Sequence, residues 1–164
     1  MPTFPPPLDR ALELCRVDFE PAPSQPGARS VLVATAVAII GSLLADAVLV
    51  AAGKAVFPAT KGYQHYRFGD YSKLTVIGVI IACIAWPVVT RITSQPRWLF
   101  VRLAVVVSAV LLLPDAALLV RGDSAQAVLV LVFMHLAIAV VTYQALVRLA
   151  PARSGARRMV SAGR

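Results

Sequence analysis

Charge is what this chain has least of. Only 15% of its 164 residues are charged, and the acidic ones number eight. A soluble domain carries about a quarter charged residues, so an ordinary solvated surface is excluded. Cysteine is equally scarce. Cys15 and Cys83 stand alone, which rules out a disulfide framework, and Cys83 reads as a small buried hydrophobe inside an apolar block. Of the two histidines only His135 lies in an apolar block, too few to ligate a haem between helices, and His65 has no second ligand at metal spacing. No cofactor and no metal are therefore expected. The chain also lacks a phosphate-cradling glycine loop, a nucleophile paired with a base, and a paired-carboxylate signature. The expectation is a protein that is not an enzyme.

What is present is apolar. Hydrophobic residues make up 59% of the chain, the mean hydropathy is +0.76, and Val, Ala and Leu fall in blocks that are apolar all round. A soluble core would instead show polar residues recurring at strand or helix period, so these blocks read as helices in lipid. The fold expected is an all-α membrane protein, a bundle of four transmembrane helices with a disordered N-terminal tail. The net charge of +8 does not signal nucleic acid, because Lys and Arg sit at the ends of the blocks where lipid headgroups lie.

The chain divides into three parts. Residues 1–29 hold seven prolines and no sustained apolar run, giving a proline-rich tail, in which residues 8–17 could form a short docking helix. Residues 30–150 form the membrane domain, with spans at about 30–53, 74–90, 100–120 and 125–147. Residues 151–164 are a basic tail. Only about four residues, RGDS, join the third and fourth spans, which makes those two antiparallel neighbours. Eleven Lys and Arg residues collect on the side of the termini and five on the other: Lys54, Lys61, Arg67, Lys73 and Arg121. The positive-inside rule then puts both termini in the cytoplasm and the chain, multi-pass, in the plasma (inner) membrane. The cationic outer loop is the one dissenting feature.

That loop, residues 54–73, interleaves Phe57, Tyr63, Tyr66, Phe68 and Tyr71 with charges. Rings with polar tips favour the headgroup layer, so an interfacial aromatic cap over the bundle is expected, or else a lid or contact surface. Within the spans, Asp46, Asp115 and His135 each cost a few kcal/mol unless paired or hydrated. All three fall at overlapping depths in the outer half. Each has a smaller polar companion on its own helix face: Ser42 four residues before Asp46, Ser108 seven before Asp115, Thr142 seven after His135. The six form one expected polar cluster, a structural lock between helices or a proton or ion site. Ala34, Ala38 and Ser42, with Gly41 and Ala45, allow a close helix approach on the first span.

Between Trp98 and Ala150 several short stretches carry a resemblance. They are the Arg102 start of the third span, the run from Ser108 to Pro114, Met134-His135-Leu136 within FMHLAIAVV, and the Leu146-Val147-Arg148 exit. In these the chain resembles an uncharacterised family of small four-span membrane proteins from high-GC Gram-positive bacteria. The first span is similar in length and small-residue content, whereas the proline-rich tail and aromatic loop depart from the pattern. The resemblance implies the four-span architecture and a shared Met134-His135 position. It implies no activity.

The leading functional expectation is an accessory or scaffold subunit of a larger membrane complex, with the lipid bilayer and other membrane proteins, or itself, as partners. The alternative is a small proton- or cation-coupled transporter working through Asp46, Asp115 and His135. A third reading, lipid handling with the outer loop as a lid, rests on the aromatic loop alone.

Overall fold

The computed structural model describes residues 17–153. Among them are four helices, each long and apolar enough to cross a membrane: α1 Ala28–Val56, α2 Phe68–Ile92, α3 Pro96–Val120 and α4 Ala125–Leu149. The chain is thus an all-α membrane protein. Two 3-10 turns, Pro58–Thr60 and Gln64–Tyr66, shape the connection from α1 to α2.

Each helix runs past its expected span at one end or both. The largest difference is α2, which begins at Phe68 rather than about residue 74. Its first turn carries Asp70, a favourable charge for the positive end of a helix dipole, so a polar stretch continues the helix out of the hydrocarbon. Phe68 and Tyr71, expected in a loop, are therefore helical. The turn from α3 to α4 follows from one glycine. Gly122 has φ +90, its N–H donates to the Leu119 carbonyl, and the Asp123 N–H donates to that of Leu118. This is a Schellman closure, in which the missing Cβ lets the chain reverse and cap α3.

The helices are unequally packed. α1 lies between α2 and α4, and α3 packs chiefly along α4. Over the 25 residues of α3 only Pro96, Leu99, Phe100 and Asp115 are buried. The α1–α4 contact is the closest: a Cβ on Gly53 would lie 2.8 Å from a Val130 methyl, and one on Gly41 would lie 3.0 Å from a Val141 methyl. Those two pairings run in opposite directions along the helices, so α1 and α4 are antiparallel. Along α1 the buried residues Ala34, Ala38, Ser42, Asp46 and Val50 fall at every fourth position, with Gly53 three further on, which extends the stripe through the carboxylate.

Ser24 and Arg153 meet at one end of the bundle, where residues 17–27 form a strap. The Phe19 N–H donates to the Ile92 carbonyl at 3.1 Å and the Ala22 N–H to that of Thr90 at 2.9 Å. Gln25 Nε2 donates to the same Thr90 carbonyl at 2.8 Å, while the Thr90 hydroxyl returns a bond to Gln25 Oε1 at 2.7 Å. Phe19 itself takes a left-handed φ of 53, a conformation unfavourable for a residue with a Cβ, held here by bonds on either side. The part of the tail from residue 17 to residue 27 is thus docked. Most of the docking helix expected at 8–17, and the basic tail beyond residue 153, lie outside the described residues.

Beneath the strap, Trp86 is fully buried, its indole N–H donating to the Ala150 carbonyl at 2.9 Å and its ring set edge-on to Phe100. Ala22, Ala150 and Ala152 pack into the same apolar cluster.

Candidate functional site

The polar residues of the spans separate into two interhelical contacts. Asp46 stands ten residues before the end of α1, about 15 Å down its axis. There it is fully buried, and its Oδ2 accepts a 2.7 Å bond from the hydroxyl of Thr75 on α2. Asp115, buried near the end of α3, faces His135 on α4, with Nδ1 lying 3.2 Å from Oδ2. The same Nδ1 is 3.0 Å from the Leu131 carbonyl. One N–H cannot serve both oxygens; with it directed at the Leu131 carbonyl, Asp115 Oδ2 has the imidazole as a close neighbour but no hydrogen bond.

The single cluster expected from depth alone is therefore divided. Asp115 and His135 meet, while Asp46 turns to Thr75, a partner that sequence reasoning did not name. The two contacts still sense each other, since His135 lies within electrostatic reach of Asp46. Ser42 and Thr142 are buried at the α1–α4 contact, and Gly41 against Val141 puts them at nearly one level. Ser108 is half-buried on α3. Four buried atoms in the helices have no hydrogen-bond partner: Ser42 Oγ, Asp46 Oδ1, Asp115 Oδ2 and Thr142 Oγ1. Among the described residues no three His, Cys, Asp or Glu side chains form a metal-binding group.

The aromatic residues at the opposite end assemble around Tyr66, which is buried and donates its hydroxyl to the Ala127 carbonyl of α4 at 3.0 Å. Tyr63 packs edge-on to both Tyr66 and His65, and Phe68 edge-on to Tyr71. Phe57 packs against the same cluster. Burial raises the Tyr63 phenol above its ordinary range, and the negative charges of Asp123 and Asp115 add to the effect. Burial likewise raises that of Tyr66, against a smaller opposing contribution from Thr60. Both phenols are neutral hydrogen-bond donors near neutral pH, though the Tyr63 hydroxyl is buried with no acceptor.

Between this cap and the end of α1 lies a cavity of about 670 Å³. Ala47, Val50 and Ala51 form its apolar wall, and Lys54, Lys61 and Arg67 its cationic rim. Sequence reasoning noted these cations only as an exception to the charge rule. Their convergence could not be seen without the fold of the loop.

Four apolar helices, paired polar contacts within them and an aromatic-cationic end define a polytopic α-helical membrane protein. Over residues 24–152 the chain matches a family of unknown function, DUF6069, and it belongs to that family. The match includes the aromatic loop, which the resemblance had set apart. No curated protein and no solved structure matches the chain.

Proposed function

We propose that this protein is a non-catalytic accessory or scaffold subunit of a larger membrane complex, set in the plasma membrane with both termini in the cytoplasm. The observation that carries the reading is the division of the buried polar residues into pairs. Asp46 with Thr75 ties α1 to α2, and Asp115 with His135 ties α3 to α4. Side chains used in this way fix helix register and orientation, which is what a scaffold requires of intramembrane polar groups. The sparsely buried α3 leaves an apolar flank for a partner helix or lipid. Photocrosslinkers placed at Val105 and Leu113, both exposed, test this. A discrete protein adduct is expected, and adducts with lipid alone would count against the scaffold reading.

A second reading, a small proton-coupled transporter, draws support from the four unpartnered buried atoms, because such atoms ask for water or a proton. Cation coupling is the less favoured form, since a mouth rimmed by three cationic side chains repels cations. Proton flux in proteoliposomes that is abolished by Asp46→Asn and His135→Ala would support it. The absence of flux in the native protein would remove it.

A further inference from the structure

The cavity at the aromatic end has a composition that neither reading uses. Lys54 is half-buried on the last turns of α1, while Lys61 and Arg67 are exposed on the loop. All three line the one cavity, and among the described residues none is joined to a carboxylate by an ion pair. No acidic side chain lines it. Four carboxylates stand near it without lining it: Asp46 lies deeper, bonded to Thr75, Asp70 is exposed in the first turn of α2, and Asp115 and Asp123 act on Tyr63 from the side of α3. Three unneutralised cations around one concavity give a positive field suited to an anion.

The depth of the cavity decides what kind of anion. Ala47 stands nine residues before the end of α1, about 14 Å along the axis, well below Lys54. The cavity thus runs from the headgroup level down into the level of the acyl chains. Its lower wall is Ala47, Val50 and Tyr71, and it is flanked by aromatic rings that favour the interface. A small hydrophilic anion would leave that apolar part empty, whereas an amphiphile fills both parts. The volume lies within the ordinary range for small-ligand sites.

We propose that this cavity binds the phosphate of an anionic amphiphile, with Lys54, Lys61 and Arg67 around the phosphate and Ala47, Val50 and Tyr71 along its chain. Arg67 offers a planar, two-pronged donor to phosphate oxygens, and the two lysines supply mobile point charges. The cationic loop, an exception to the positive-inside pattern, then has a ligand to serve.

The test uses the full-length protein in phosphatidylcholine nanodiscs, titrated separately with dioctanoyl phosphatidylglycerol, dioctanoyl phosphatidylcholine and inorganic phosphate. Saturable binding of phosphatidylglycerol is expected, weakened about a hundredfold when Lys54, Lys61 and Arg67 are all changed to Gln, at about fivefold for each cation. Lys61→Gln and Arg67→Gln singly alter exposed side chains, so each reads out the site even if the triple variant folds poorly. Arg121→Gln removes a cation at the same end but outside the cavity and should change nothing. Weak inorganic phosphate binding assigns the ligand to lipid. Equal binding, lost in the same variants, upholds the phosphate site with a soluble source. Phosphatidylcholine binding as tight as phosphatidylglycerol, or an equal loss from Arg121→Gln, or no loss in the cavity variants, overturns the proposal.

Discussion

The two ends of this bundle are built on different terms. At the strap end, Trp86, Thr90, Gln25 and Ser94 each have a hydrogen-bond partner, and residues 17–27 close over an apolar cluster. At the cap end the rings of Tyr63, Tyr66, Phe68 and Tyr71 meet edge to edge around a cavity, and the Tyr63 hydroxyl is buried without an acceptor. Among the described residues, the buried polar atoms lacking partners all lie outside the strap end. A region whose buried polar side chains all have partners is committed to holding one structure. A region with spare donors, spare charge and open volume has something left to bind.

The comparison breaks most visibly if the strap end can be weakened without touching the cap. Trp86→Ala removes a fully buried ring and the donor to the Ala150 carbonyl. It should cost about 3–5 kcal/mol in a detergent unfolding titration. Trp86→Phe keeps most of the packing and should cost about 1 kcal/mol, the value of the lost bond. Anion binding at the opposite cavity should survive both substitutions wherever the fold does.

The next effect concerns the spine that joins the ends. Gly53→Ala places a methyl 2.8 Å from a Val130 methyl, which forces α1 and α4 apart. A loss of about 1–3 kcal/mol is expected, largely restored by adding Val130→Ala. Gly41→Ala, at 3.0 Å from Val141, should cost less. If the second substitution gives no rescue, the close contact is not what sets the helix spacing.

Smaller again is the tie beneath the cavity. Thr75→Val keeps shape and removes the hydroxyl that Asp46 accepts from. Interhelical hydrogen bonds within membranes are worth about 0.6 kcal/mol on average and about 1.7 at most, so the loss should fall in that range. A double-mutant cycle with Asp46→Asn should show a coupling of the same size. A coupling near zero would mean that Asp46 answers to another partner.

How much of this could be read beforehand differs between the same two ends. The four helices were legible because about twenty apolar residues in a row admit no other structure in lipid. The pairing of Asp115 with His135 was nearly legible, since a four-residue link fixes α3 against α4 and leaves depth as the only variable. Asp46 was assigned to the same cluster because depth says nothing about direction around a helix. Thr75, seven residues into α2, was hidden when residues 68–73 were read as loop, since the depth scale of that helix then began in the wrong place. The strap was illegible for a different reason. Its contacts are mostly backbone bonds to residues more than sixty positions away, and a proline-rich segment gives no periodic signal of them.

The smallest expected effect isolates one latch in the strap. Asp18 Oδ1 accepts from the Ser94 N–H at 2.9 Å, Oδ2 from the Ser94 hydroxyl, and the Glu20 N–H also donates to Oδ1. Partial burial pushes the carboxyl up, but these bonds to its charged form outweigh burial and hold it below its ordinary value. A carboxylate with a depressed folded value contributes its full stability above the unfolded value of about 3.9, and loses it as pH falls through the folded one. Docking of the strap should therefore be flat from pH 8 to about 5 and weaken only under acid. Hydrogen exchange at the Phe19 and Ala22 amides, corrected for intrinsic rates, reports this, because those N–H groups bond Ile92 and Thr90 across the strap. The effect is small because the group is largely solvated and screened. Asp18→Asn should remove the acid dependence and slightly raise exchange at neutral pH, with anion binding at the far cavity unchanged. Acid-induced opening that persists in Asp18→Asn would place the sensor elsewhere and dissolve the latch.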